Sequence, residues 1–205
     1  MRTIMRVKFL FRLKSPIVAL ITFGLFTACA SGQTDRSNSV VIPSPREVIA
    51  SDVTVDNGQF ISKTGKFQVS IAEIPSQTLD LGSETARAKG IDVGKQYVWR
   101  FENTLYTIYY TPPVDREGNT LPNVFEDMVS GSRKGVLRSN GKIISEKPYM
   151  FQGFNGVELR YTSAEGLNFV SRLFISGDFG YQVVGAYLGD KEMEVLDILN
   201  SFATR

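Results

Sequence analysis

The sequence predicts an α+β domain, a largely antiparallel β-sheet covered by helices, carried behind an export leader and a polar spacer. Three observations lead there. Period-two apolar segments crowd residues 58–111 and 149–187, the pattern of half-buried strands. Two segments with helical spacing, one near 122–140 and one after Asp190, interrupt and close that run of strands. Residues 1–28 differ from everything that follows: basic, then apolar, with no acidic side chain. With 42% hydrophobic and 21% charged residues, and with 14 Phe, 8 Tyr and 1 Trp, the 205-residue chain has enough apolar and aromatic area for a real core.

Taken in order, Arg2, Arg6, Lys8, Arg12 and Lys14 form a basic start, and the apolar stretch Pro16–Ala28 follows. Its 13 residues are too few for a membrane-spanning helix, which needs about 20, so residues 1–28 read as a signal peptide. Cys29 closes the apolar run after Phe26-Thr27-Ala28, and polar sequence begins directly after it. That junction resembles the lipobox of bacterial lipoproteins, with Phe26 where the family prefers Leu. The resemblance implies that the Cys29 thiol carries diacylglycerol, that signal peptidase II removes the leader, and that acylation of the new amino terminus follows. Two or more acyl chains give stable anchoring where one gives only reversible attachment, so the chain is expected to be tethered to a membrane through Cys29. Ala30 in place of Asp, by resemblance to enteric lipoproteins, is compatible with outer-membrane rather than inner-membrane delivery on the periplasmic side.

Removing the leader reverses the charge. The whole chain has 23 basic and 21 acidic residues; taking away the five basic residues of the leader leaves 18 against 21, or −3. A mildly acidic domain without a basic cluster gives no support to nucleic-acid binding. From Ala30 to Asn57 the chain is rich in Ser, Thr, Asp, Asn and Pro and lacks sustained periodicity, so residues 29–57 read as lipidated cysteine plus flexible tether. Val40–Ile42 and Val53–Val55 leave open a pairing at a sheet edge. Residues 58–205 fit one domain.

Within it, Gly58–Ala72 reads as a hairpin: Phe60 and Ile61 enter, Lys63-Thr64-Gly65 turns, and Phe67, Val69 and Ile71 alternate with polar residues. Lys95–Thr111 is the strongest β segment, with Tyr97, Trp99 and Phe101 alternating before a turn at Glu102-Asn103-Thr104, and Pro112-Pro113 ending it. A helix is expected from about Pro122 to Asn140-Gly141, with Val124, Phe125, Met128 and Val129 on its apolar side and Gly131 and Gly135 weakening its middle. Tyr149–Phe151, Val157–Thr162, Asn168–Ile175 and Gly180–Tyr187 read as strands. Asp190 is placed to cap a closing helix carrying Met193, Leu196, Leu199 and Phe202 on one face.

Gly153-Phe154-Asn155-Gly156-Val157-Glu158-Leu159-Arg160 resembles the Gly-Tyr-Pro-Gly-x-Glu segment of PsbP-like domains, with Asn155 in the usual Pro position. Arg172-Leu173-Phe174, Gly180-Tyr181-Gln182-Val183 and Ser201-Phe202 fall where such domains place their last strands and closing helix. The resemblance implies an α/β/α sandwich and a non-enzymatic binding role, such as that of extrinsic photosystem II subunits. In a photosynthetic host it would point to the thylakoid lumen.

The chemistry on offer is narrow. One cysteine and no histidine exclude an intrachain disulfide, a His-based dyad or triad, and zinc sites built on His or paired Cys. Gly177, Gly180 and Gly185 lack the Lys-Ser/Thr of a phosphate loop, and Ser130-Gly131-Ser132 lacks a nucleophile elbow. Glu126 and Asp127 point about 100° apart on a helix and read as a solvated face. Glu158, Arg160 and Arg172 read as a cross-strand charge ladder, with a ligand-gripping pair as the second reading. Tyr106 and Tyr110 alternate with Tyr109. Core packing is their first reading, and an exposed set serving as a partner surface is the second. No catalytic residue, cofactor site or metal site is expected. The expected function is a membrane-anchored, non-catalytic domain that binds a protein or envelope partner. An envelope hydrolase using carboxylate or Ser/Lys chemistry, or a carrier of an apolar ligand, is the alternative.

Overall fold

The computed structural model describes residues 52–115 and 117–205. Pairing starts ahead of the expected boundary at 58. Strand β1 (Val53–Asp56) turns through Asn57 and Gly58, both at positive φ, into β2 (Gln59–Ser62), with Val55 opposite Phe60. Asn-Gly with two left-handed residues makes the tightest hairpin turn, and this dipeptide carried the signal that assigning Val53–Asp56 to the tether passed over. The second half of the 29–57 region is therefore partly sheet; Val40–Ile42 lies outside the described residues.

β2 pairs with β3 (Phe67–Val69) as the sequence predicts, and β3 pairs with β11 (Ala203–Thr204), so the carboxyl terminus closes a small antiparallel sheet of order β1-β2-β3-β11. The large sheet is antiparallel throughout, of order β4-β5-β6-β10-β9-β8-β7. Its strands are β4 (Gln77–Asp80), β5 (Lys95–Arg100), β6 (Thr104–Thr111), β7 (Lys142–Phe151), β8 (Phe154–Thr162), β9 (Asn168–Ser176) and β10 (Phe179–Tyr187). Helices are α1 (Glu84–Ala88), α2 (Val124–Arg138) and α3 (Glu192–Ser201).

Two glycines on β10 set how the longer helices sit. Gly180 and Gly185 are five residues apart, so they face opposite sides of the sheet. A methyl group on Gly180 would collide with the Met128 sulfur of α2, and one on Gly185 with Val195 and Leu199 of α3. The helices thus press on opposite faces at backbone-contact distance. On the α3 side, Val195, Leu199 and Phe202 join Phe60, Phe67, Tyr97, Trp99, Tyr110, Phe174 and Tyr181 in the main core. On the α2 side, Met128 and Val129 pack on Leu159 and Leu173. Aromatic rings dominate the main core: Phe202 stacks on Phe67 at 5.1 Å, and Phe151 on Phe174 at 4.3 Å.

The closing helix departs from its expected face. Met193 is 68% exposed, while Val195 is fully buried, because the gap left by Gly185 admits Val195. Capping also differs: the N-cap is Lys191, without a side-chain bond, and not Asp190. α2 runs unbroken through Gly131 and Gly135, since burial of Met128, Val129, Ser132, Gly135 and Val136 outweighs the propensity cost of about 1 kcal/mol per glycine.

Candidate functional site

The fold gathers its largest group of charges where β7, β8 and β9 pass beneath α3. Register puts Lys147 opposite Glu158 and Glu158 opposite Arg172, one cross-strand row. Glu158 is 3% exposed and accepts from Arg172 Nε at 3.1 Å and Arg160 Nε at 3.0 Å, with Lys147 Nζ 3.5 Å away. Arg172 Nη1 donates to Asn200 Oδ1 on α3 at 2.8 Å, and its guanidinium lies 4.5 Å from the Tyr149 ring centroid. Arg160 also binds Glu192 at the start of α3.

Burial pushes the Glu158 carboxyl up, but the hydrogen bonds from Arg160 and Arg172 outweigh it, so the group stays below its ordinary range. The Arg160 bond likewise holds Glu192 low. Two carboxylates sharing one guanidinium, both kept ionised, supply no protonated acid, so this pair lacks the split acidities that carboxylate hydrolysis uses. The cluster is the ladder the sequence predicts, extended by α3 into a latch between helix and sheet.

The tyrosines require a correction. Tyr106, Tyr109 and Tyr110 are all buried, at 3%, 5% and 0% exposure, so none forms a partner surface. Alternation exposes one face only when that face is bare. β6 lies between β5 and β10, and every one of its residues is buried. Tyr106 and Tyr110 enter the main core, and Tyr109 packs with Val98, Phe169 and Val184 on the other side.

The two ends of β5 differ in kind. At the Lys95 end, Asp52 accepts from Lys95 Nζ at 2.9 Å, Tyr97 Oη at 3.1 Å and the Thr64 amide at 2.8 Å, clamping the start of β1 to the large sheet. At the Arg100 end, about 17 Å away for a six-residue strand, the β5–β6 turn meets the segment after β10: Leu188 N–H donates to Asn103 O at 3.2 Å. Phe101 contacts Tyr106 edge-on, with ring centroids 5.8 Å apart. Phe101, Leu188 and Met193 are exposed there, at 39%, 41% and 68%. Beneath them, the buried Tyr106 and Thr104 hydroxyls lie against each other. Periodicity places Phe101 in the alternating β5 run and Met193 on the apolar face of the closing helix, and it does not mark Leu188; β5 instead ends at Arg100 and Met193 is exposed.

The other candidates resolve simply. Glu126 and Asp127 are exposed, as a solvated face requires. Gly177 turns the β9–β10 hairpin at φ +58°. At Gly185, Val195 and Leu199 fill the space between α3 and the sheet. Among the described residues, no three His, Cys, Asp or Glu side chains converge to hold a metal ion. No described helix is long and apolar enough to cross a membrane. Cys29 lies outside the described residues.

No family model matches the sequence, and no curated protein does. Among solved structures, the chain is similar to the cyanobacterial PsbP (CyanoP) of Synechocystis sp. PCC 6803, at 11% identity and TM-score 0.46, over 79% of this chain and 98% of that one. It is also similar to a putative regulator of unknown function from Pseudomonas aeruginosa, at 11% identity and TM-score 0.40, over 54% and 81% of the two chains. A third similarity is to the Ran-binding protein Mog1p of Saccharomyces cerevisiae, at 12% identity and TM-score 0.36, over 74% and 96%. At such low identity and overlap, no partner or activity passes from these proteins to this chain.

Proposed function

We propose that the protein is a lipid-anchored, non-catalytic binding domain of the cell envelope, tethered through Cys29 and presenting a PsbP-like α/β/α domain to a protein partner. The observation that carries the reading is the placement of Asp52. The chain joins the domain at the clamped Lys95 end of β5, and exposed apolar side chains stand at the opposite end. A domain hung from a membrane by its amino terminus would turn that opposite end outward. The tether composition of residues 30–51 supports this: about 22 flexible residues reach roughly 25 Å root-mean-square, comparable to the domain itself. The charged groups of the Glu158 cluster are spent on one another, which fits a structural rather than a catalytic use.

The test is mass spectrometry of the mature amino terminus, with Cys29→Ser as control. The expected wild-type terminus is a diacylglyceryl-modified Cys29, and the variant is expected as unprocessed precursor or as released soluble protein. An unmodified wild-type terminus at another position would overturn the anchor. Deleting residues 31–51 is expected to leave the protein folded and anchored while weakening recovery of a partner from solubilised membranes. Unchanged recovery would place the contact at the bilayer surface.

A further inference from the structure

Resting on the anchored-binder reading, we propose that the Phe101 end of the large sheet is the docking surface, and that its occupant is a basic protein segment with an apolar face. Three loops and helix starts converge there. The Leu188 amide bonds the Asn103 carbonyl, joining the β5–β6 turn to the approach of α3. Phe101 leans on Tyr106. Trp99 Nε1 donates to Glu73 O at 2.9 Å, which fixes the loop carrying exposed Ile74 beside the same strand end. The result is exposed apolar area on Ile74, Phe101, Leu188 and Met193, of the kind that marks contact sites on soluble domains.

A further observation defines the occupant. Exposed carboxylates neighbour the apolar group along the chain and near Tyr106: Glu73 next to Ile74, Glu102 next to Phe101, and Asp190, Glu194 and Asp197 around the start of α3, against the cations Arg100 and Lys191, of which Lys191 is already paired with Glu194. An acidic rim favours a basic partner and repels anionic lipid headgroups, so the surface fits a protein facing it rather than a bilayer. Arg, Tyr and Trp in the partner would supply both an apolar body and a donor.

The experiment uses the full lipidated chain in its native membrane. A photo-reactive p-benzoylphenylalanine replaces Phe101, Leu188 or Met193 one at a time. Ile144 and Met150, exposed on or near the β7 edge, serve as comparison positions. Cross-linked peptides are identified by mass, and the yield is repeated at high salt. The expected result is a cross-link from the Phe101 end to a peptide rich in Lys or Arg with apolar residues. Its yield should fall about tenfold on raising salt to about 0.5 M, as charges a Debye length apart become screened. Cross-links only from Ile144 or Met150 would overturn this location while leaving the binding reading standing. Cross-links from Phe101 to lipid, to a second copy of this chain or to a segment without basic excess would overturn the occupant. Cross-links from none of the positions would overturn both the surface and the binding reading.

Discussion

The Glu158 cluster and the Phe101 end both carry several charges, yet they treat them in opposite ways. Glu158 meets Arg160, Arg172 and Lys147, and Arg172 meets Asn200 and the Tyr149 ring, so the buried charges satisfy one another. At the Phe101 end, exposed carboxylates such as Glu102 and Asp190 sit next to large apolar side chains that face solvent. Buried groups that close on themselves fasten a helix to a sheet. Groups left open beside exposed apolar area are available to something outside the chain.

The sharpest way to break the comparison is to open the closed cluster. Glu158→Ala leaves Arg172 and Arg160 without their shared anion in a buried setting, and a loss of about 3–5 kcal/mol is expected in denaturant unfolding. Replacing both partners, Glu158→Met with Arg172→Leu, should recover most of it, because the cost lies in the orphaned charge. If the double variant were no better than the single, the cluster would not be acting as a closed unit.

Next in size, Gly185→Ala drives a methyl group into Val195 and Leu199 and is expected to cost about 1–3 kcal/mol; adding Val195→Ala should relieve part of it. A result near zero for Gly185→Ala would mean that α3 is free to shift, and that its contact with the sheet is looser than the cluster requires.

The pH dependence has a definite sign. Glu158 and Glu192 titrate lower in the folded chain than their ordinary value of 4.5, so their stabilisation is present above that value and is lost as pH falls below it. Unfolding followed from pH 6 downward should show falling stability through this window, with a shallower fall in Glu158→Gln. An equal slope in the variant would assign the acid sensitivity to other carboxylates.

The smallest stability effect is expected where the functional effect is largest. Met193→Ser, at an exposed position, should change stability by no more than about 0.5 kcal/mol. A larger loss, measured by the same unfolding curves, would make Met193 part of the fold and weaken the distinction between the two regions.

Much of the fold was legible where period and turn chemistry agree. Phe67 and Val69, the runs Tyr97–Arg100 and Leu105–Tyr110, and the segments from Val157 to Tyr187 alternate cleanly and fall in strands, while Ile71 lies past the end of β3. β7 was seen only at Tyr149–Phe151, because an edge strand is wetted on both faces and its Lys142–Pro148 half reads as polar. β4 and α1 are too short to show a period. The charge ladder was legible because Glu158, Arg160 and Arg172 sit on strands whose pairing the sequence makes plain. The Phe101 end was not: its residues lie some 90 positions apart, and the pairing of β6 with β10, continued by the Asn103–Leu188 bond, brings them together. Exposure of Tyr106, Tyr109 and Tyr110 could not be read from alternation alone, since that requires knowing that β6 is an interior strand.

The most direct measurement sets the two regions against each other in one preparation. Full-length lipidated chain carrying Phe101→Ser with Met193→Ser, and the same chain carrying Glu158→Met with Arg172→Leu, are compared with wild type for recovery of the cross-linked basic partner and for Tm. The account predicts that the first variant keeps its Tm within a few degrees and loses partner yield by about tenfold or more, while the second keeps its yield. Retained yield in the first variant with loss in the second, at comparable Tm, would move the binding surface to the charge cluster and contradict the account.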